Sequence, residues 1–198
     1  MKILLNGRFG KVGSVLGPGL EDAGHSLVDS LDRAEAMVDF TRPDAVVANI
    51  RAAVDAGVPS VVGTTGWDPR EVADAPVAVF YAPNFALGAV LMMRFAAEAA
   101  PHFKRAEIVE LHHAAKVDAP SGTAKLTAER MGGDVQIHSV RLPGLNAHHE
   151  VLLGAPGQTL TIRHDALSRE AYVPGVLLAL EKLPTLPPGV TVGLDALL

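Results

Sequence analysis

The sequence predicts an α/β chain of two parts: a doubly wound parallel sheet, and a smaller α+β domain with a mostly antiparallel sheet. Three observations carry this expectation. Apolar strand-like segments alternate with helix-like segments up to about Asn84, strand-like segments then follow one another directly, and a last helix and strand carry apolar faces that need the first sheet for cover. The predicted division is residues 1–84 with 166–198 as one domain, and residues 85–165 as the second.

Lys2 to Leu5 reads as a short strand running into Gly7-Arg8-Phe9-Gly10-Lys11-Val12-Gly13, with a helix following to about Ala23 and ended by Gly24. Ser26 to Val28 and Met37 to Phe40 read as the second and third strands. After Pro43, the residues Val46, Val47, Ile50 and Val54 recur at helical spacing until Gly57, and Val58 to Val62 is a fourth strand. The uncharged run from Ala75 to Met93 is long enough to raise the question of a membrane span. Pro76, Pro83 and Asn84 divide it into a strand near 77–81 and a helix near 85–100, both expected in the core. Strands are expected near 106–112, 137–142, 147–153 and 158–164, with Gly154-Ala155-Pro156-Gly157 joining the last two as a hairpin. Pro174 to Lys182 reads as the final helix and Val190 to Val192 as the final strand.

Composition narrows the function classes. Seventeen basic against twenty-two acidic residues give a net charge of −5, and no Lys/Arg stripe suits nucleic acid, so an anionic ligand must be held by local groups. The absence of cysteine excludes disulfides, thiolate nucleophiles and zinc–thiolate centres, and agrees with a cytoplasmic setting. Only Ile3, Leu4 and Leu5 separate Lys2 from Asn6-Gly7, too short an apolar run for a secretory signal.

Two groups of motifs point to chemistry. Gly7, Gly10 and Gly13 follow the first strand at intervals of three and open a helix. In this Rossmann-like context bare backbone can approach a pyrophosphate, and Arg8 and Lys11 add positive charge. Gly63-Thr64-Thr65-Gly66 and Tyr81-Ala82-Pro83-Asn84-Phe85 close two further strands and fall on the carboxyl edge of the same sheet, where hydroxyl and amide groups can hold a nicotinamide and its ribose. Asp29 is the expected ribose ligand with Asp32 as competitor, while Arg33 can instead accept a 2′-phosphate, so NADH and NADPH both stay open.

The second group runs from Glu110 to Ala124. Along the strand, Val109 and Leu111 share one face and Ile108, Glu110 and His112 the other, so His112 and His113 stand at the strand end. A turn at Asp118-Ala119-Pro120 leads to a helix expected from about Ala124 to Met131, capped by Ser121 or Thr123, with Lys116 just before it. Imidazole, ammonium and a helix N-terminus within so short a span suit the binding and protonation of a small dianion.

In this order, the motifs resemble those of the dihydrodipicolinate (4-hydroxy-tetrahydrodipicolinate) reductase family of the diaminopimelate route to lysine, over nearly the whole chain; Arg163-His164-Asp165 agrees as well. The resemblance implies a nicotinamide cofactor, NADH or NADPH, held by Gly7, Arg8, Phe9, Gly10, Lys11, Val12, Gly63, Thr64, Thr65, Ala82, Pro83, Asn84 and Phe85. It makes His112 the proton donor and Lys116 a second donor or carboxylate ligand, with His113, Gly122 and Thr123 binding a cyclic dicarboxylate. It also implies a homotetramer, with residues 1–84 and 166–198 as the dinucleotide-binding domain and residues 85–165 as the domain for substrate binding and oligomerisation. The chain departs from the family pattern in its short connections from the second strand to Val38 and from Met131 to Ile137, and in having alanine at position 115.

Two other classes compete. A metal hydrolase would use some of His112, His113, His138, His148, His149 and His164, but no helical His pair or carboxylate spacing supports a metal site, and none is expected. A non-catalytic dinucleotide sensor would use the glycine turn alone, leaving His112 and Lys116 without a purpose.

Overall fold

A computed structural model describes all residues, Met1–Leu198. It divides into two compact units, one comprising Met1–Ala86 with Arg169–Leu198 and the other Leu87–Ser168. No helix is long and apolar enough to cross a membrane.

The first unit is built on β1 (Lys2–Asn6), α1 (Gly13–Asp22), β2 (Ser26–Val28), β3 (Ala36–Asp39), α2 (Pro43–Asp55), β4 (Ser60–Val62) and β5 (Ala78–Tyr81). The chain returns to it later with a helix at Val173–Lys182 and a strand at Gly189–Val192, which become α5 and β10 once the second unit is counted. All pairings are parallel, in the order β10-β5-β4-β3-β1-β2. The central strands β3 and β4 are buried at every position, as expected where both sheet faces are covered. Over one face, Val46, Ile50 and Ala53 of α2 pack on Met37, Val62 and Val79. Pro43 starts α2 where its missing N–H is harmless, and Gly57 leaves it at φ +70.

Only a 3-10 turn at Leu31–Arg33 links β2 to β3. The sequence expectation of a short connection is therefore realised without a crossover helix. The link passes one strand, β1, a lateral distance of roughly 10 Å that a few extended residues span. Glu35 fastens its far end through backbone and carboxylate bonds to Lys2, at 2.8 and 2.6 Å.

The second unit contains α3 (Leu87–Ala99), β6 (Arg105–His112), α4 (Gly122–Arg130), β7 (Gln136–Arg141), β8 (Ala147–Ala155) and β9 (Gln158–Ala166). Its sheet runs β7-β6-β8-β9. The β6–β8 and β8–β9 pairings are antiparallel, but β7 lies parallel to β6, which makes the sheet mixed. The reason is α4: a helix between two strands returns the chain in the same direction. Helices α3 and α4 pack on each other and on the same sheet. The hairpin closes at Pro156-Gly157, between the partners Ala155 and Gln158, with Gly157 at φ +79.

Several boundaries shift from the sequence reading. α4 begins at Gly122, two residues earlier than expected, because Ser121 is the cap. β3 ends at Asp39, and Phe40 leaves the strand to place its ring 5.5 Å from that of Phe85. β4 starts at Ser60, since the Val58 amide still closes the end of α2 on Ala53.

Two glycines separate crowding from backbone strain. A Cβ on Gly13 would stand 2.0 Å from the Gly7 carbonyl oxygen, whereas at Gly24, φ +83, it would meet nothing within 4 Å. Gly24→Ala is expected to lose about 1–2 kcal/mol, the left-handed penalty alone. Gly13→Ala should lose clearly more, or fail to fold, in urea titrations followed by circular dichroism.

Candidate active site

In the first unit the strand order reverses at β1, which has β2 on one side and β3 on the other. Open α/β sheets bind ligands at such a point, outside the carboxyl ends of the strands. The glycine turn leaves β1 there. Gly10 N bonds to Gly7 O at 2.8 Å, and a Cβ on Gly7 would lie 2.2 Å from Phe40 O. Gly7 and Gly13 are therefore demanded by the turn's own packing. Gly10 is the exposed one, where a Cβ would meet only Gly7 O at 3.1 Å, so its bareness faces outward. Val12, at the N-cap of α1, makes no side-chain cap, and the Ser14 and Val15 amides are bonded within the turn to Gly10 O and Val12 O, each at 3.0 Å. These features fit a dinucleotide pyrophosphate.

Arg8, Phe9 and Lys11 project from the turn, Phe9 being 96% exposed. A recess of about 480 Å³ beside it is walled by Arg8, Phe9, Leu27, Val28, Asp29 and Arg33, among others. Asp29 lines the recess and Asp32 does not; Asp29 Oδ1 accepts a hydrogen bond from Arg33 Nη1 at 3.1 Å.

In the other two segments, two of the polar side chains are engaged within the fold. The Thr64 hydroxyl is buried, donating to Asp39 Oδ1 at 2.7 Å and accepting from Thr41 N at 2.7 Å. Asn84 Oδ1 accepts from Ala86 N at 2.9 Å, and Ala82 and Phe85 lie in the core. Outward, these segments present Thr65 and Pro83. Gly63 is bare because the Phe40 ring would be 2.2 Å from its Cβ. Asp39 was missed by the sequence reading. Fully buried, it also accepts from Thr41 Oγ1 and N at 2.7 and 3.1 Å and from Asn49 Nδ2 at 2.8 Å, tying the loop after β3 to the loop after β4.

In the second unit, strand alternation turns Ile108, Glu110 and His112 of β6 to the buried side. Glu110, with 0% exposure, is the hub. Its Oε1 accepts from Ser121 N at 3.2 Å and Arg141 Nη2 at 2.7 Å; its Oε2 accepts from Arg141 Nη1 at 2.9 Å and is bonded to His112 Nδ1. Arg141 also donates to the carbonyl oxygens of Asp118 at 2.7 Å and Val140 at 2.8 Å. Burial by itself would raise the Glu110 pKa. Hydrogen bonds from Arg141, Ser139 and His112, with the charge of the imidazole, outweigh it and bring the group down to about 2.

His112 is itself lowered by burial, which prevails over the hydrogen bond and charge of Glu110. Next to it, the His149 ring stands edge-on with centroids 5.2 Å apart. Burial pushes His149 down to about 4, so it is neutral at pH 7, and its Nε2 lies 3.0 Å from Ser121 Oγ. That hydroxyl also accepts from Ala124 N at 3.2 Å and caps α4, ahead of the first-turn amides of Gly122 and Thr123. Lys116 reaches Asp118 Oδ1 at 2.6 Å, and His113 is exposed at the strand end.

The second unit thus brings His112, Lys116 and the start of α4 into one neighbourhood. The sequence reading gave Glu110, Arg141 and His149 no part in the reductase site. Glu110 was legible as an inward acid two positions before His112; Arg141, 31 positions from Glu110, gave no local signal. No cluster of three or more His, Cys, Asp or Glu is arranged to hold a metal ion.

Comparison with known proteins agrees in both units. Residues 20–85 match the model described as dihydrodipicolinate reductase, N-terminus, and residues 88–198 the model for its C-terminus. The glycine turn lies before the matched region. The 4-hydroxy-tetrahydrodipicolinate reductase of Beutenbergia cavernae is 43% identical over 244 aligned positions, covering 100% of this chain and 98% of its own. Because that alignment exceeds the chain's own length, the relative carries segments that this chain lacks. The enzyme of the same name from Desulfitobacterium hafniense is 48% identical over 82% of this chain and 73% of its own. Among solved structures, a dipicolinate-bound dihydrodipicolinate reductase from Paenisporosarcina sp. TG-14 superposes with a TM-score of 0.86 at 27% identity, covering 100% of this chain and 99% of that one. With both family models matched and full-length relatives above 40% identity, the chain belongs to the dihydrodipicolinate reductase family.

Proposed function

We propose that this protein reduces 4-hydroxy-tetrahydrodipicolinate to tetrahydrodipicolinate with NADH or NADPH. The observation that carries the reading is the joint placement of His112, Lys116 and the α4 N-terminus around the Glu110 hub, in a chain of this family. A reduced nicotinamide supplies hydride when bound. The exposed Gly10 of the glycine turn and the charges of Arg8 and Lys11 receive the pyrophosphate. Val12, with Thr65 and the backbone of Gly63, Thr64 and Ala82 to Phe85, lines the path of the nicotinamide half, and Asp29 meets the ribose.

On the substrate side, the amides of Gly122 and Thr123, with the dipole of α4, hold one carboxylate. Lys116 exchanges its exposed partner Asp118 for the same dianion, and His113 stands beside it. His112 gives a proton to the atom that gains the electron pair as hydride arrives. Binding and orientation by the protein, with chemistry by the cofactor, is the usual division of labour in such enzymes.

The outer face of the second sheet supports a homo-oligomer of the family's tetrameric kind. Val109, Leu111 and Leu152 stand there half-buried, among the ion pairs of Arg163 with Glu150 and Asp165. Sedimentation velocity should return a multiple of the 20.7 kDa chain mass.

The central test is oxidation of each reduced cofactor, followed by nicotinamide absorbance, on adding freshly generated dehydratase product. Cofactor binding without turnover would favour the sensor. His112→Gln is expected to lower kcat by roughly 10²–10⁴-fold. Lys116→Ala should raise the substrate KM by about tenfold or more. Both should leave the cofactor Kd, measured by nicotinamide fluorescence, unchanged. Gly10→Val should do the reverse, weakening cofactor binding in a protein that still folds.

A further inference from the structure

A desolvated carboxylate with all of its hydrogen-bonding positions filled by donors is a fixed electrostatic device, and Glu110 is one. Oε1 is met by Arg141 and the Ser121 amide, Oε2 by Arg141 and His112, and the Ser139 side chain adds a further bond. An ionised carboxylate can only accept, so the proton shared with His112 belongs to Nδ1, and Nε2 is left as the nitrogen able to serve a substrate. Arg141 decides whether that holds. Were Glu110 to take up a proton, its O–H could donate to Nδ1 and move the ring proton to Nε2. The guanidinium prevents this with two parallel N–H bonds to the two carboxylate oxygens.

We infer that Glu110, clamped by Arg141, is the positioning residue for the proton step: it holds His112 as the Nδ1–H tautomer and, through the Ser121 amide, ties that imidazole to the carboxylate-binding start of α4. The inference rests on the reading of His112 as the proton donor. In the step itself the Nε2–H bond of imidazolium breaks and its proton passes to the substrate atom that receives the π electron pair displaced when hydride bonds to its neighbour. The neutral ring keeps its Nδ1 proton against Glu110, and Nε2 is reprotonated from solvent.

The charged and titratable groups around His112 are Glu110 on its own strand, Arg141 on β7, His149 on β8 and Lys116 in the following loop. Of these, Glu110 alone favours the imidazolium, with Arg141 and Lys116 opposing it. A donor must be protonated, so turnover falls as pH rises through the His112 pKa. Removing the Glu110 charge lowers that pKa further and moves the fall to lower pH.

The experiment compares wild type with Glu110→Gln, Arg141→Ala and Arg141→Lys, reading the ¹⁵N shifts of the His112 ring and the pH profile of kcat. The wild type should show Nδ1 protonated in the neutral ring. Glu110→Gln should move that proton to Nε2, lower kcat by roughly 10²-fold or more, and displace the alkaline fall by about one pH unit or more to the acid side, with cofactor Kd unchanged. Arg141→Lys should recover more of the pH profile than Arg141→Ala. If Glu110→Gln does not fold, the two Arg141 variants carry the same measurements. An unaltered tautomer and profile in folded variants overturns the inference while leaving His112 as the donor. A changed tautomer with unchanged turnover removes His112 from the chemistry, and the inference falls with it.

Discussion

The structure of the second unit depends on one carboxylate kept ionised away from water. Taking Glu110 out of solvent is costly unless opposite charge and hydrogen bonds replace the lost hydration. The replacements come from three separate places: the guanidinium of Arg141 on β7, the imidazole of His112 on the same strand, and the backbone of Ser121 at the start of α4. Satisfying that one group therefore fixes the parallel β6–α4–β7 arrangement and the relative positions of the groups assigned to the substrate. Packing density alone would not give such precision, since apolar side chains fill space without specifying direction.

Asp39 does comparable work in the first unit without a cation. Its four hydrogen bonds come from Thr41, Thr64 and Asn49, so the loops after β3 and β4 are held as one piece. Phe40, between them, packs its ring against Phe85 and its backbone against Gly7. The carboxyl edge of the parallel sheet is thereby rigid before any ligand arrives, and the glycine turn is shaped by its own neighbours more than by what it would hold.

Much of this was legible in the sequence because it is local. Alternation along β6 put Glu110 and His112 on one face, glycine spacing after β1 announced the turn, and Ser121 was one of two caps considered for α4. What escaped is non-local. Arg141 carries no sign in its own neighbourhood that it will be drawn to Glu110, and His149 looks like His148 until strand pairing sends one inward and the other toward Asp165. The parallel pairing of β7 was likewise hidden, because a strand beside a helix does not reveal which neighbour it will choose. Sequence likewise gave no sign that the Thr64 hydroxyl is engaged by Asp39 and the Thr41 amide, or the Asn84 side-chain oxygen by the Ala86 amide.

The pairing of β8 with β6 makes the chemistry of the second unit sensitive to a strand far along the chain from it. Side chains on a strand change sides with every step, so displacing β8 by a single residue against β6 would carry His149 out into water and bring a neighbour in against Ser121. The turn, by holding Ala155 opposite Gln158, acts as a ratchet tooth for the β8–β9 ribbon. The β6–β8 register in turn sets which β8 side chain flanks the hub, since a one-residue slip there would put His148 or Glu150 on the face that His149 now occupies, without touching any residue of the hub.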